Sequence, residues 1–133
     1  MPMTRISLQK GKPPEYLRAI SDGVHRALVE AFDVPPKDRF QLIHQHEAHE
    51  MSIDPHYEAD GRSADYVFIN VIAGRPRSTA TKAAFYRRLV ALLGEAPGLR
   101  PDDVMIIIQH SQSEDWSFSA GRQGLPGFAG SQP

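Results

Sequence analysis

A proline follows the initiator methionine in MPMTRISL, the opening of this 133-residue chain. Methionine is normally trimmed before a small second residue, so the mature chain is expected to begin with the secondary amine of Pro2. Such an amine can serve as a general base, a cationic acid, or a nucleophile that forms an iminium with an aldehyde. Burial and nearby guanidinium groups would both disfavour its ammonium form and lower its pKa. Position alone says little, because about 5% of average residues are proline.

A second candidate is the pair Arg75 and Arg77 in GRPRS. They fall between a predicted strand and a predicted helix, where unpaired N–H groups and the helix dipole favour an anion. Cations there oppose the dipole at a cost of about 0.3–1 kcal/mol each. No acid lies in this turn, which favours a carboxylate or phosphate site over a plain surface charge pair, and arginine suits a planar carboxylate. HQHEAH places His44, His46 and His49 close together, and three histidines can bind zinc. The plainer reading, polar residues at a strand end, is preferred because no companion ligand pattern appears elsewhere. Asp38 and Asp103 read first as turn residues before strands. In DWSF, Trp116 and Phe118 alternate, so both can face one pocket or a neighbouring subunit, or simply pack.

The elements that must position these residues repeat. MTRISL is β-compatible, QKGKPPE stops it, and Leu17, Ile20, Val24, Leu28 and Ala31 form one helical stripe. FDVPPKDR breaks the helix and FQLIHQH reads as a strand. The same order recurs as YVFINVIA, GRPRS, the helical TATKAAFYRRLVALLGE, APGLRPDD and VMIIIQHS. An offset of 65 carries Ile6 to Val71, Ile20 to Phe85, Val24 to Leu89, Leu28 to Leu93, Val34 to Leu99, Pro36 to Pro101, Asp38 to Asp103 and Lys10-Gly11-Lys12 to Arg75-Pro76-Arg77. It also carries Pro2 to Val67, an internal residue with no amine to offer.

The predicted fold is therefore α/β: two tandem β-α-β units, about 2–46 and 66–110, forming one four-stranded, mostly parallel sheet with both helices on one face. Residues 47–65 form a polar connection with room for a short hairpin, and 111–133 a tail whose Gly- and Pro-rich end holds no regular element. One domain spans the chain. The open sheet face needs cover, which a trimer packed around an axis would supply.

Composition narrows the function. A net charge of −1 gives no general field for nucleic acid or anionic membranes, and the absence of cysteine removes disulfides and thiolate chemistry. With a mean hydropathy of −0.39, no signal-like start and no spanning apolar run, a cytoplasmic protein acting on a small molecule is expected.

The start MP, AF-VP--DR-Q in Ala31 to Gln41, Gln45-His46, RPRS, Phe85-Tyr86, PDDV and DWSF together resemble the tautomerase superfamily, and within it the malonate semialdehyde decarboxylases. The similarity runs to about Phe118. It implies a cofactor-independent homotrimer acting on a small oxo acid. In that likeness Pro2 is the catalytic amine, Arg75 and Arg77 engage the carboxylate, and Asp38 positions or activates water and keeps Pro2 oriented. Trp116 and Phe118 form part of an apolar wall, and no metal is implied. The alternatives are a tautomerase or hydratase/dehalogenase-like enzyme on enol or unsaturated acids, and a trimeric binding protein without turnover.

Overall fold

The computed structural model describes residues 2–124. β1 (Met3–Gln9) leads to α1 (Pro14–Ala31) and β2 (Gln41–His46), and β3 (Val67–Ala73) leads to α2 (Thr79–Glu95) and β4 (Val104–His110). Pro14 begins α1 because its fixed φ suits the first turn and its missing N–H is not needed there. Ser78 caps α2 by accepting the Thr81 N–H at 3.1 Å.

The sheet order is β2-β1-β3-β4. β1 and β2 are parallel, as are β3 and β4, and the units join through an antiparallel β1–β3 pair. The repeat offset is built into this ladder. Adding 65 to Arg5 gives Asn70, and these two residues are register partners at the centre of the β1–β3 pair. The pair Thr4–Gln41 likewise becomes Ile69–Ile106, which is also observed. The two units are thus related by a local two-fold through Arg5 and Asn70.

Alternate residues of the central strands face the helices. Ile6, Leu8, Val67, Ile69 and Val71 pack with Ile20, Val24, Leu28, Phe85, Leu89 and Leu93 in one core. Every residue of both predicted stripes is buried in it or packed against it. The side chains on the other face, Leu42, Phe68, Ile72, Met105 and Ile107 among them, have no helix over them. Leu42, Met105 and Ile107 are exposed, and Asn70 Oδ1 is buried without a hydrogen-bond partner among the described residues.

The expected hairpin in the connection is not formed. Residues 47–66 hold one short 3-10 turn, Ala48–Glu50, and side chains satisfy much of their backbone. Asp54 accepts the N–H groups of His56 and Tyr57, and buried Asp103 accepts both the N–H and the hydroxyl of Ser63 at 2.6 and 2.7 Å. No helix among the described residues is long and apolar enough to cross a membrane.

Candidate active site

Antiparallel pairing sets the start of β1 beside the end of β3. Met3 pairs with Ile72, so the register continued by one residue puts Pro2 alongside Ala73. Pro2 is buried there. α1 runs back along β1 and delivers its C-terminal residues Phe32 and Asp33 to the same end. The loop after β3 brings Arg75 and Arg77, and β4, parallel to β3, exits there at Ser111. A cleft of about 280 Å³ opens between the β3 and β4 exits, lined by Gly74, Arg75, Pro76, Ser111, Gln112, Ser113 and Glu114.

The two arginines are held differently. Arg77 donates from Nε to the Phe32 carbonyl at 3.1 Å and from Nη1 to the Arg75 carbonyl at 2.8 Å. Its guanidinium lies 4.4 Å from the centre of the Phe32 ring, which packs in turn on Phe85. Burial, with the Arg75 charge adding to it, pushes the Arg77 pKa down to about 10. Among the described residues it contacts carbonyls and an aromatic face and forms no ion pair with a carboxylate. Arg75 instead donates from Nη2 to the Asp33 carboxylate at 2.8 Å and to the Asp33 carbonyl at 3.1 Å. The Arg75 guanidinium holds the Asp33 carboxyl below its usual range.

The expectation that this turn lacks an acid holds only locally, because Asp33 arrives from the end of α1. The matching cations of the first unit are also paired, Lys10 with Glu47 and Lys12 with Asp65. An unbalanced cation pair is therefore not the sign of an anion site here. Of these four cations, Arg77 is the one with no ion pair to a carboxylate among the described residues.

Asp38 is half-buried in the turn before β2, its N–H donating to the Pro35 carbonyl at 3.0 Å. Register continued from Thr4–Gln41 places Arg39 beside Pro2, so Asp38 lies one residue from the amine's neighbour. Its counterpart Asp103 holds the chain that leads into Val67, the counterpart of Pro2. Asp38 thus occupies the place where, in the other unit, a carboxylate receives the chain preceding the strand.

Trp116 and Phe118 stack with ring centres 5.3 Å apart and planes 15° from parallel. The indole N–H donates to Ser111 Oγ at 2.7 Å, and that hydroxyl donates to the Ala73 carbonyl at 2.7 Å. This relay ties the aromatic pair to the strand end beside Pro2. His44, His46 and His49 lie on β2 and the following turn, away from this end. No group of three or more His, Cys, Asp or Glu residues among the described ones is arranged to hold a metal. Sequence reasoning missed Phe32, Asp33 and Ser111. The first two fall in a stretch that reads as a helix breaker and carries no site signal of its own, and Ser111 falls where the last predicted strand meets the tail.

A family model described as tautomerase enzyme matches residues 38–119, and a second with the same description matches residues 2–60. The chain is 34% identical over 122 residues to the probable tautomerase YusQ of Bacillus subtilis, covering 92% of this chain and 96% of that protein. It is 33% identical to the probable tautomerase YrdN of the same organism, over 91% of this chain and 93% of that one. A crystal structure of malonate semialdehyde decarboxylase, described as a basis for decarboxylase and hydratase activities, superposes with a TM-score of 0.84 at 36% identity, covering 90% of this chain and 92% of that one. These matches agree with the site-bearing architecture, and the chain belongs to the tautomerase family.

Proposed function

We propose that this chain is a cofactor-independent decarboxylase that converts malonate semialdehyde to acetaldehyde and CO2, with Pro2 as the catalytic amine. The observation that carries the proposal is the convergence, at one end of the sheet, of buried Pro2 with the Arg77 guanidinium, which no carboxylate among the described residues pairs directly. The similarity to malonate semialdehyde decarboxylase at 36% identity adds to it. Losing CO2 from a 3-oxo acid leaves an electron pair on the carbon beside the carbonyl. An iminium at Pro2, or a hydrogen bond from its ammonium to the carbonyl oxygen, accepts that pair, and a proton then completes the methyl group. Asp38 orients the amine or a water beside it, and Trp116 and Phe118 wall the substrate from solvent.

The arginines must do more than bind. Gripping the carboxylate stabilises the reactant and opposes its departure, since only interactions stronger in the transition state accelerate a step. Their useful contribution is orientation, turning the breaking C–C bond perpendicular to the carbonyl plane. A homotrimer would cover the open sheet face and offer partners to Asn70 Oδ1.

The names of the curated relatives favour a second reading, a tautomerase on an enol acid. There the carboxylate never leaves, and tight binding carries no penalty at the chemical step. Turnover of malonate semialdehyde against enol phenylpyruvate separates the two readings. Intact mass should show Met1 removed, and Pro2→Ala should abolish decarboxylation. Native, active protein that retains Met1, or full activity in Pro2→Ala, would overturn the assignment of Pro2.

A further inference from the structure

The two helix ends share one closing bond. After α1, the Val34 N–H returns to the Leu28 carbonyl at 3.2 Å, and after α2 the Leu99 N–H returns to the Leu93 carbonyl at 2.9 Å. The repeat offset of 65 relates these bonds residue for residue. The residue that makes each turn possible is left-handed: Gly98 at φ 104° in the second unit, Asp33 at φ 55° in the first. Glycine adopts this region without strain, whereas an L side chain there is disfavoured, aspartate less than most. A glycine meets this backbone requirement at Gly98. The first unit carries a carboxylate instead, and that carboxylate and its own carbonyl both accept from Arg75 Nη2. A strained residue held on one arginine of a candidate site is a functional signal.

We propose that Asp33 is a positioning residue that shares Arg75 with the substrate carboxylate, leaving Arg77 as the principal anion grip. This deepens the decarboxylase reading and rests on it for its catalytic consequence. Asp33 holds the Arg75 guanidinium beside the cleft and offsets part of its charge, in a pair exposed to solvent. The substrate is then oriented by two guanidiniums but bound electrostatically by little more than one. For a reaction in which the carboxylate must leave as CO2, that limits the ground-state grip described above. Arg77, held by two carbonyls and an aromatic face, keeps its charge for the ligand.

The test titrates malonate, a dicarboxylate that mimics the substrate's charge, into wild-type protein and into Asp33→Asn and Asp33→Gly by calorimetry at low ionic strength. Asp33→Gly suits the left-handed φ at this position and should fold, and Asp33→Asn keeps the side chain's shape without its charge. Removing one carboxylate from beside the ligand should tighten malonate about three- to tenfold in both variants. The gain should shrink with added salt and vanish when Arg75→Ala is the background. Malonate semialdehyde kinetics should show KM falling together with kcat. Unchanged or weaker malonate binding in both folded variants, or the same tightening without Arg75, overturns the proposal. If wild-type protein does not turn over malonate semialdehyde, the decarboxylase reading fails, and the malonate titration still decides the role of Asp33.

Discussion

Ser111→Ala removes one hydroxyl and should reveal how the aromatic wall is fixed. That hydroxyl accepts the Trp116 indole N–H and donates to the Ala73 carbonyl, both at 2.7 Å. Ala73 keeps an N–H donor from Ser111 at 2.9 Å, so the strand end stays satisfied. The loss falls on the half-buried indole, which can recover part of its hydrogen bonding from water. Leaving such a donor unmade costs about 1–2 kcal/mol, enough to change a conformational ratio by a factor of about 5–30. If the wall must be in place to receive substrate, KM should rise by about that factor, with a smaller effect on kcat. Trp116 is the chain's only tryptophan, so its emission reports the change directly and should shift to the red. Ser111→Thr keeps the hydroxyl and should restore both readouts. An unchanged emission spectrum with unchanged KM in Ser111→Ala would refute the relay.

Other expectations follow from the same geometry. Asp103→Ala strands two donors of Ser63 and should cost about 3 kcal/mol, read as a lower midpoint in urea unfolding, while kcat of the folded protein stays near wild type. Arg77→Ala should weaken malonate binding by at least about tenfold, since a charge-assisted hydrogen bond contributes about 1.5–3 kcal/mol, and Arg77→Lys should not restore it, because a lysine cannot reproduce the fork stacked on Phe32. Acid should unfold the protein through its paired carboxylates. Asp33, Asp54 and Glu30 have pKa values lowered in the folded state, the first by Arg75, the second by backbone N–H groups, and Glu30 by Arg88 and Arg26 against an opposing desolvation. Their stabilisation is fully present above the usual carboxylate range and is lost as pH falls through the lower folded values. Stability measured in urea should thus be level from pH 7 to about 5 and decline below about 4.

The elements were legible because each unit repeats a simple pattern. Strand periodicity, the stripe through Ile20, Val24 and Leu28, and the breakers at Pro13-Pro14 and GRPRS place every strand and helix within a residue or two of where it occurs. The offset of 65 also proved structural, since it maps the β1–β3 register onto itself. The pattern does not show how two similarly patterned units join, and the antiparallel β1–β3 pair is what sets Pro2 beside the arginine loop. The connection's conformation was illegible for a different reason. It depends on side chains such as Asp54 and Asp103 reaching backbone groups far away in sequence. Arg75 and Arg77 were found by type and place, but their unlike surroundings come from Phe32 and Asp33, more than 40 positions earlier in the chain.

The duplication offers a physical rule for separating scaffold from function in this chain. Where the two units keep the same residue class at equivalent places, as at Val34 and Leu99 or Ile20 and Phe85, the position serves the core. Where they diverge at one end of the sheet, the fold gives no reason for the difference. Pro2 stands opposite Val67, Arg77 without an ion pair among the described residues opposite Lys12 paired to Asp65, and Asp33 opposite Gly98. All three departures meet at the sheet end that bears the cleft. The Asp38 and Asp103 pair sharpens the rule, because the residue is the same and only its surroundings differ. In the second unit that carboxylate accepts from Ser63 in the chain entering β3, while in the first it sits one residue from Arg39, the register neighbour of Pro2.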